Sequence, residues 1–134
     1  MDTTRPSSTV YEWSFPASTA SIALARNAVA DRLGPTATAA LVDDVRLMVS
    51  ELVTNAVVHA HSTCTVSLRI DPSAIRIEVG DGCRQTPRMR RPEAGEAHGR
   101  GLLIIESLAD CWGVEVDDDG KTVWFELRTA PASQ

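Results

Sequence analysis

Two polar residues, one turn apart on a predicted helix, are the side chains best suited to chemistry. Glu51 and Asn55 lie in residues 43–61, a segment whose apolar residues recur at helical spacing. Both fall between this apolar arc and a second apolar pair, Leu47 and Val58, so both should be partly covered. An amide oxygen suits Mg²⁺, and a nearby carboxylate can accept a proton from an attacking hydroxyl or water. The simpler interpretation is that the pair ties down a neighbouring loop, which would also satisfy a partly buried carboxylate.

A carboxylate between two glycines marks a second candidate site. Asp81 ends a predicted strand and is flanked by Gly80 and Gly82. Flanking glycines let a planar ligand approach the backbone closely. An ionised carboxylate only accepts hydrogen bonds, so it suits an exocyclic amine such as that of adenine. The commoner fate of an aspartate between glycines is a plain turn.

The start of a later predicted helix forms a third candidate. Gly99, Arg100 and Gly101 precede a helix that begins near Leu102. Backbone amides at a helix N-terminus attract anions, and glycines let phosphates come close. A glycine pair with this spacing is weak evidence by itself. Thr122 supplies a hydroxyl at the start of the last strand, where a β-branched residue that only fills a strand position is the default interpretation.

Two other patterns imitate known sites. The run 120–122, Gly-Lys-Thr, resembles the end of a phosphate-binding P-loop, but Glu115 stands where that motif requires glycine. His59, His61 and Cys64 could be drawn as a zinc site, although a fourth ligand is missing nearby in the sequence. We therefore assign chemistry to neither pattern.

Composition limits the classes of function. The chain has 134 residues, 43% of them hydrophobic, which predicts one folded domain. Its net charge of −5 argues against a surface that binds nucleic acid. Its apolar runs are too short to span a bilayer, and its first residues do not resemble a secretory signal. Three cysteines without paired spacing suit reduced thiols. We expect a cytoplasmic protein that contacts neither nucleic acid nor membrane.

The positive charge is concentrated in one loop. Five of the thirteen basic residues fall within seventeen positions, residues 84–100. Such a cluster suits a small polyanion or an acidic protein partner, and a solvated loop is nearly as good an interpretation.

Periodicity predicts about five strands and three helices. Alternating segments at 11–15, 64–70, 75–79, 112–116 and 122–127 predict strands, each with one apolar face. Helices are predicted from a cap at Ser18 or Thr19 to Leu33, over residues 43–61, and over residues 102–109. The expected fold is a two-layer α/β sandwich, with a mostly antiparallel or mixed sheet covered on one face by three helices. Residues 10–128 should form a single domain, with flexible tails at 1–9 and 129–134.

The order of these motifs resembles a known family. The segments ELVTNAVVHA, VGDG, GRGLLIIESLAD and GKTVWFEL follow one another as in the GHKL, or Bergerat-fold, ATP-binding domain. The chain is most similar to the short bacterial anti-sigma-factor serine/threonine kinases. The resemblance covers residues 13–128, nearly the whole chain.

The resemblance implies a role for each candidate residue. Glu51 would be the general base, and Asn55 would hold Mg²⁺. Asp81, with Gly82, would read the adenine amine, and Thr122 would lie nearby. The phosphates of ATP would be bracketed by a set of residues at the start of the third helix: Gly99, Arg100, Gly101 and Leu102. Residues 84–98 would form a lid. Larger members carry glycine two residues after the adenine-reading aspartate, where this chain has Cys83.

The resemblance also implies a function and partners. Such kinases hold a sigma factor inactive and phosphorylate an antagonist protein, and they commonly form homodimers. The alternative is a non-catalytic ATP-binding module that works by sequestering its partner. A weaker third hypothesis is an ATPase without a protein substrate.

Overall fold

The alternating segments of the sequence form one five-stranded antiparallel sheet. The computed structural model describes residues 8–82 and 100–129. The strands follow the order β1-β2-β3-β5-β4, so β5 lies between β3 and the edge strand β4. Their bounds are β1 (Thr9–Phe15), β2 (Cys64–Ile70), β3 (Ala74–Asp81), β4 (Cys111–Asp117) and β5 (Gly120–Arg128).

Three α-helices cover one face of this sheet and complete the predicted two-layer sandwich. They are α1 (Ala20–Leu33), α2 (Ala39–Thr54) and α3 (Arg100–Leu108). The core lies between the layers because strand side chains alternate, as at Ile75, Ile77 and Val79 of β3, which are all buried. The predicted fold class is confirmed, and the sheet is antiparallel at every pairing.

The central helix differs from its predicted bounds at both ends. It begins at Ala39 rather than residue 43, because the Thr38 hydroxyl caps it and accepts a hydrogen bond from the Leu41 amide at 3.1 Å. It does not continue as an α-helix to residue 61. The α-helix ends at Thr54 and is followed by one π-helical turn, Asn55–His59.

Both ends of the described chain are tied to the sheet. β1 begins at Thr9, inside the segment predicted as a tail, and Thr9 pairs with Ile70. The Thr129 amide donates to the Ser73 carbonyl at 3.0 Å. The predicted lid, most of the arginine cluster and Gly99 lie outside the described residues. Within the described part of the chain, no helix combines the length and apolarity needed to cross a membrane.

The sheet face away from the helices is polar and carries a packed aromatic residue. The Arg76 guanidinium lies over the Trp124 ring, 4.0 Å from its centroid, and donates to Glu78 and Glu126 at 2.8 Å each. Gly113 of the neighbouring strand lies directly against the Trp124 ring. We call this surface the outer face.

Candidate functional site

The helix that carries Glu51 and Asn55 changes its winding at Asn55. The Asn55 amide donates to the carbonyls of Glu51 and Leu52, and the Asn55 carbonyl accepts from the Ala60 amide at 2.9 Å, five residues on. This wider turn follows an ordinary α-helix without a break. Single π-turns are frequent at functional sites, and here the turn sets the direction in which the helix leaves Asn55. Both side chains are half-buried, as their spacing predicts.

The start of α3 lies directly against this pair. A Cβ atom added to Gly101 would lie 3.1 Å from the side-chain nitrogen Nδ2 of Asn55 and 3.8 Å from a Glu51 carboxylate oxygen. Gly101 is itself buried. Its lack of a side chain therefore lets the N-terminal backbone of α3 approach the two polar residues. The structure thus brings together three of the residues singled out in the sequence.

Asp81 takes part in a buried ion pair. The Lys121 ammonium donates to its carboxylate at 2.7 Å, and the two side chains are only 8% and 6% exposed. Strand register explains the pairing, because Lys121 of β5 lies directly opposite Asp81 of β3. A buried charge is tolerated only with such a partner.

Two backbone contacts hold this end of β3 in place. The Gly82 amide donates to the Ser62 hydroxyl at 2.7 Å, which connects β3 to the segment that follows the π-turn. Gly120 has a φ of +150° and lies so close to the Asp81 carbonyl that no side chain would fit. The ends of α2 and β3 and the starts of α3 and β5 therefore meet at one end of the sandwich.

A buried thiol lies beside Asp81 on the next strand. Cys64 of β2 pairs with Asp81 in the sheet register and is 1% exposed. Burial, together with the negative charge of Asp81, raises the pKa of the Cys64 thiol to about 11. Cys64 is therefore a neutral core residue at physiological pH.

Thr122 is not brought together with Asp81. It follows Lys121 in β5, so its side chain points to the outer face, where its hydroxyl lies 3.4 Å from a Cβ added to Gly80. A shallow groove on that face is lined by Ser14, Thr65 and Thr122, among other residues. This groove lies on the opposite side of the sheet from Asp81. The adenine-site role expected of Thr122 stays a prediction.

Comparison with known proteins identifies the family. A model of the histidine kinase-like ATPase domain matches residues 15–127. The chain belongs to this family. Family membership implies that this histidine kinase-like ATPase domain binds ATP.

One curated relative and one solved structure resemble this ATPase domain. It is 34% identical over 106 residues to an anti-sigma F factor from Pasteuria penetrans, covering 68% of this chain and 70% of that protein. Its fold resembles the crystal structure of the RsbU and RsbW domains of Rv1364c from Mycobacterium tuberculosis, with a TM-score of 0.71 at 19% identity. That match covers 92% of this chain, which spans only 34% of the other chain. The resemblance to GHKL anti-sigma-factor kinases is confirmed at the level of family and fold.

The residues present also fit a magnesium ion held jointly with phosphate. Mg²⁺ keeps several waters and usually takes only one or two ligands from the protein. Asn55 offers a side-chain oxygen of the right kind, and the N-terminal backbone of α3, which is suited to phosphate, lies against the same side chain. Among the described residues, no group of three histidine, cysteine or acidic side chains forms a complete metal cage. A cation here would therefore depend on phosphate and water for the rest of its shell.

Two residues of this site were missed in the sequence. Lys121 belongs to the Gly-Lys-Thr run that only resembles a P-loop. The register of β3 and β5 is what places it opposite Asp81. Ser62 follows the predicted helix without any motif of its own. No sequence signal identifies Ser62 as the acceptor for Gly82.

Proposed function

We propose that this protein is an anti-sigma factor that binds MgATP and transfers the γ-phosphoryl group to a serine or threonine of an antagonist protein. The observation that carries the proposal is the approach of Gly101 to Asn55 and Glu51. It unites a helix N-terminus suited to phosphate, an amide suited to Mg²⁺ and a carboxylate suited to proton transfer.

Each residue has a defined task in this reaction. Glu51 accepts the proton of the partner's hydroxyl while that oxygen forms a bond to the γ-phosphorus. The bond between the γ-phosphorus and the β–γ bridging oxygen breaks, and ADP leaves with its electron pair. Asn55 would hold Mg²⁺, which would supply positive charge that neutralises the phosphates. The backbone at Gly101 positions the phosphates, and Asp81 accepts a hydrogen bond from the adenine amine.

The comparison with an anti-sigma factor supports the choice of partners. One relative is named an anti-sigma F factor, and it matches 68% of this chain at 34% identity. Transferred to this protein, that name gives a sigma factor as the sequestered partner. The antagonist protein as phosphate acceptor is part of the proposal and rests on the resemblance to the anti-sigma-factor kinases. We include homodimerisation and a cytoplasmic location in the proposal, because both accompany this mode of regulation in the family.

A binding module without phosphotransfer is the second candidate function. It needs only the nucleotide contacts, and the end of β3 that is expected to meet the base is held in place, Asp81 by Lys121 and Gly82 by Ser62. These contacts support ATP binding and do not bear on transfer. The two functions differ only in what Glu51 does.

Replacement of Glu51 separates the two functions. Glu51→Gln should keep ATP affinity within about twofold of wild type, because the amide occupies the same space. Transfer of labelled γ-phosphate to an antagonist captured by pull-down should fall by about 10²–10⁴-fold, the usual contribution of a general base. Asn55→Ala should instead weaken MgATP binding itself.

The control is Glu115→Gln, which removes an exposed carboxylate from the edge strand β4. It should leave both binding and transfer unchanged. Undiminished transfer by Glu51→Gln would refute the general-base role. Tight ATP binding by the wild type with no transfer to any captured partner would favour the binding module.

A further inference from the structure

Lys121 is the only lysine in a sequence that otherwise uses arginine for its basic residues. It is also one of the few polar residues of the described chain that are buried, with 8% exposure. Lysine is almost never buried without a strong reason, because its ammonium group must give up water. Its place in the structure therefore calls for an explanation beyond strand pairing.

The immediate partner of Lys121 is the carboxylate expected to read the nucleobase. Its ammonium lies 2.7 Å from an Asp81 oxygen. Both residues have the strand parity of the buried Val79 and Val123, which places them on the helix-facing side of the sheet. Gly82 and Gly120 fix the backbone on either side of the pair through close contacts. The two charges are thus presented together, as one fixed donor and acceptor unit.

This unit complements one edge of adenine. The amine at position 6 of adenine donates hydrogen bonds, and the neighbouring ring nitrogen N1 accepts one. A carboxylate only accepts, and an ammonium has three donors and no acceptor. One N–H of Lys121 can therefore stay on Asp81 while another is directed to the base.

We propose that Lys121 is a second base-reading residue, which donates a hydrogen bond to adenine N1 while Asp81 accepts from the adenine amine. This inference rests on the proposed ATP binding and adds a specificity-determining residue to that site. Because both side chains are nearly closed off from water, a hydrogen bond made here is stronger than one at an exposed surface.

A nucleotide that lacks only N1 provides the test. In 1-deaza-ATP a carbon replaces this nitrogen, and the amine, the sugar and the phosphates are retained. Calorimetric titration of the wild-type protein should show 1-deaza-ATP binding about 10–100-fold more weakly than ATP, the value of a hydrogen bond to a charged donor. This comparison uses unmodified protein and so does not depend on the folding of a variant.

A substitution assigns the effect to Lys121. Lys121→Met should bind the two nucleotides with equal affinity, whereas Lys121→Arg, which keeps a donor, should retain part of the difference. The matched control is Arg128→Met, at the exposed far end of the same strand, and it should discriminate as the wild type does.

Three results would contradict the proposal. Equal wild-type affinity for ATP and 1-deaza-ATP would overturn it and leave ATP binding intact. Tighter ATP binding by Lys121→Met would show that Lys121 occludes Asp81 and does not read the base. A wild-type protein that binds neither nucleotide would remove the proposed function itself.

Discussion

Gly101→Ala tests the meeting of α3 with Asn55 and Glu51. The added methyl group would lie 3.1 Å from the side-chain nitrogen Nδ2 of Asn55. It would lie 3.6 Å from the Glu51 Cβ and 3.8 Å from a Glu51 carboxylate oxygen. The first distance is too short by a few tenths of an ångström, and the other two are ordinary contacts. The Asn55 side chain must therefore shift, while the backbone of both helices can stay in place.

The expected effects on stability and on binding differ. Alanine is favoured over glycine by at most about 1 kcal/mol at this first-turn position of the helix, and a displaced side-chain rotamer costs about 0.5–1.5 kcal/mol, so the two effects on stability partly cancel. The melting temperature should stay within about 4 °C of wild type. Mg²⁺ requires ligands at about 2.0–2.1 Å, so a shifted Asn55 should weaken MgATP binding by about 10–100-fold.

Calorimetric titration with MgATP, together with thermal unfolding, measures both quantities. The control is Gly34→Ala, because an added Cβ at Gly34 meets nothing within 4 Å. This control should bind MgATP as the wild type does. If Gly101→Ala also bound MgATP with wild-type affinity, the phosphate site would not lie at the start of α3.

Two further predictions concern the buried thiol and the outer face. Because the pKa of Cys64 is raised to about 11 by burial and by the Asp81 charge, the folded protein keeps a neutral thiol after the unfolded chain has ionised. The resulting stabilisation is present below about pH 9 and is lost between about pH 9 and 11. Measured by urea unfolding, the free energy of unfolding of the wild type should therefore fall by about 2–3 kcal/mol more over this pH range than that of Cys64→Ala. For Gly113→Ala, the added Cβ would lie 2.8 Å from the Trp124 ring, which must leave its contact with Arg76. Urea unfolding, followed by tryptophan fluorescence, should show that the free energy of unfolding falls by about 1–3 kcal/mol, while ATP binding stays unchanged. A variant as stable as the wild type would contradict the packing of Gly113 against Trp124.

Strand alternation and helical spacing made most of the fold predictable. Five strand segments with one apolar face each required a cover on one side, and three amphipathic segments were available to supply it. The first and last residues of α2 were harder to predict from the sequence. Thr38 caps the helix ahead of its first regular apolar residues, and the π-turn after Thr54 leaves the apolar spacing almost unchanged.

The candidate site was only partly predictable, because some of its residues come together only through the pairing register of β3 and β5. Glu51 and Asn55 lie one turn apart in the chain, so their proximity follows from the sequence. Lys121 and Asp81 are separated by 40 positions, and a shift of two residues in the pairing of β3 and β5 would put Val123 opposite Asp81 while the same faces stayed buried. Sequence alone does not set that register, and Lys121 was therefore missed.

In the proposed function the nucleotide lies on the helix side of the sheet, at the end where Gly82 and Gly101 are found. The most direct measurement is a two-dimensional amide NMR spectrum recorded with and without MgATP. The amide resonances of Gly82 and Gly101 should shift on addition of MgATP. Shifts confined to Thr65, Ser67 and Thr122, which line the groove on the outer face, would contradict it.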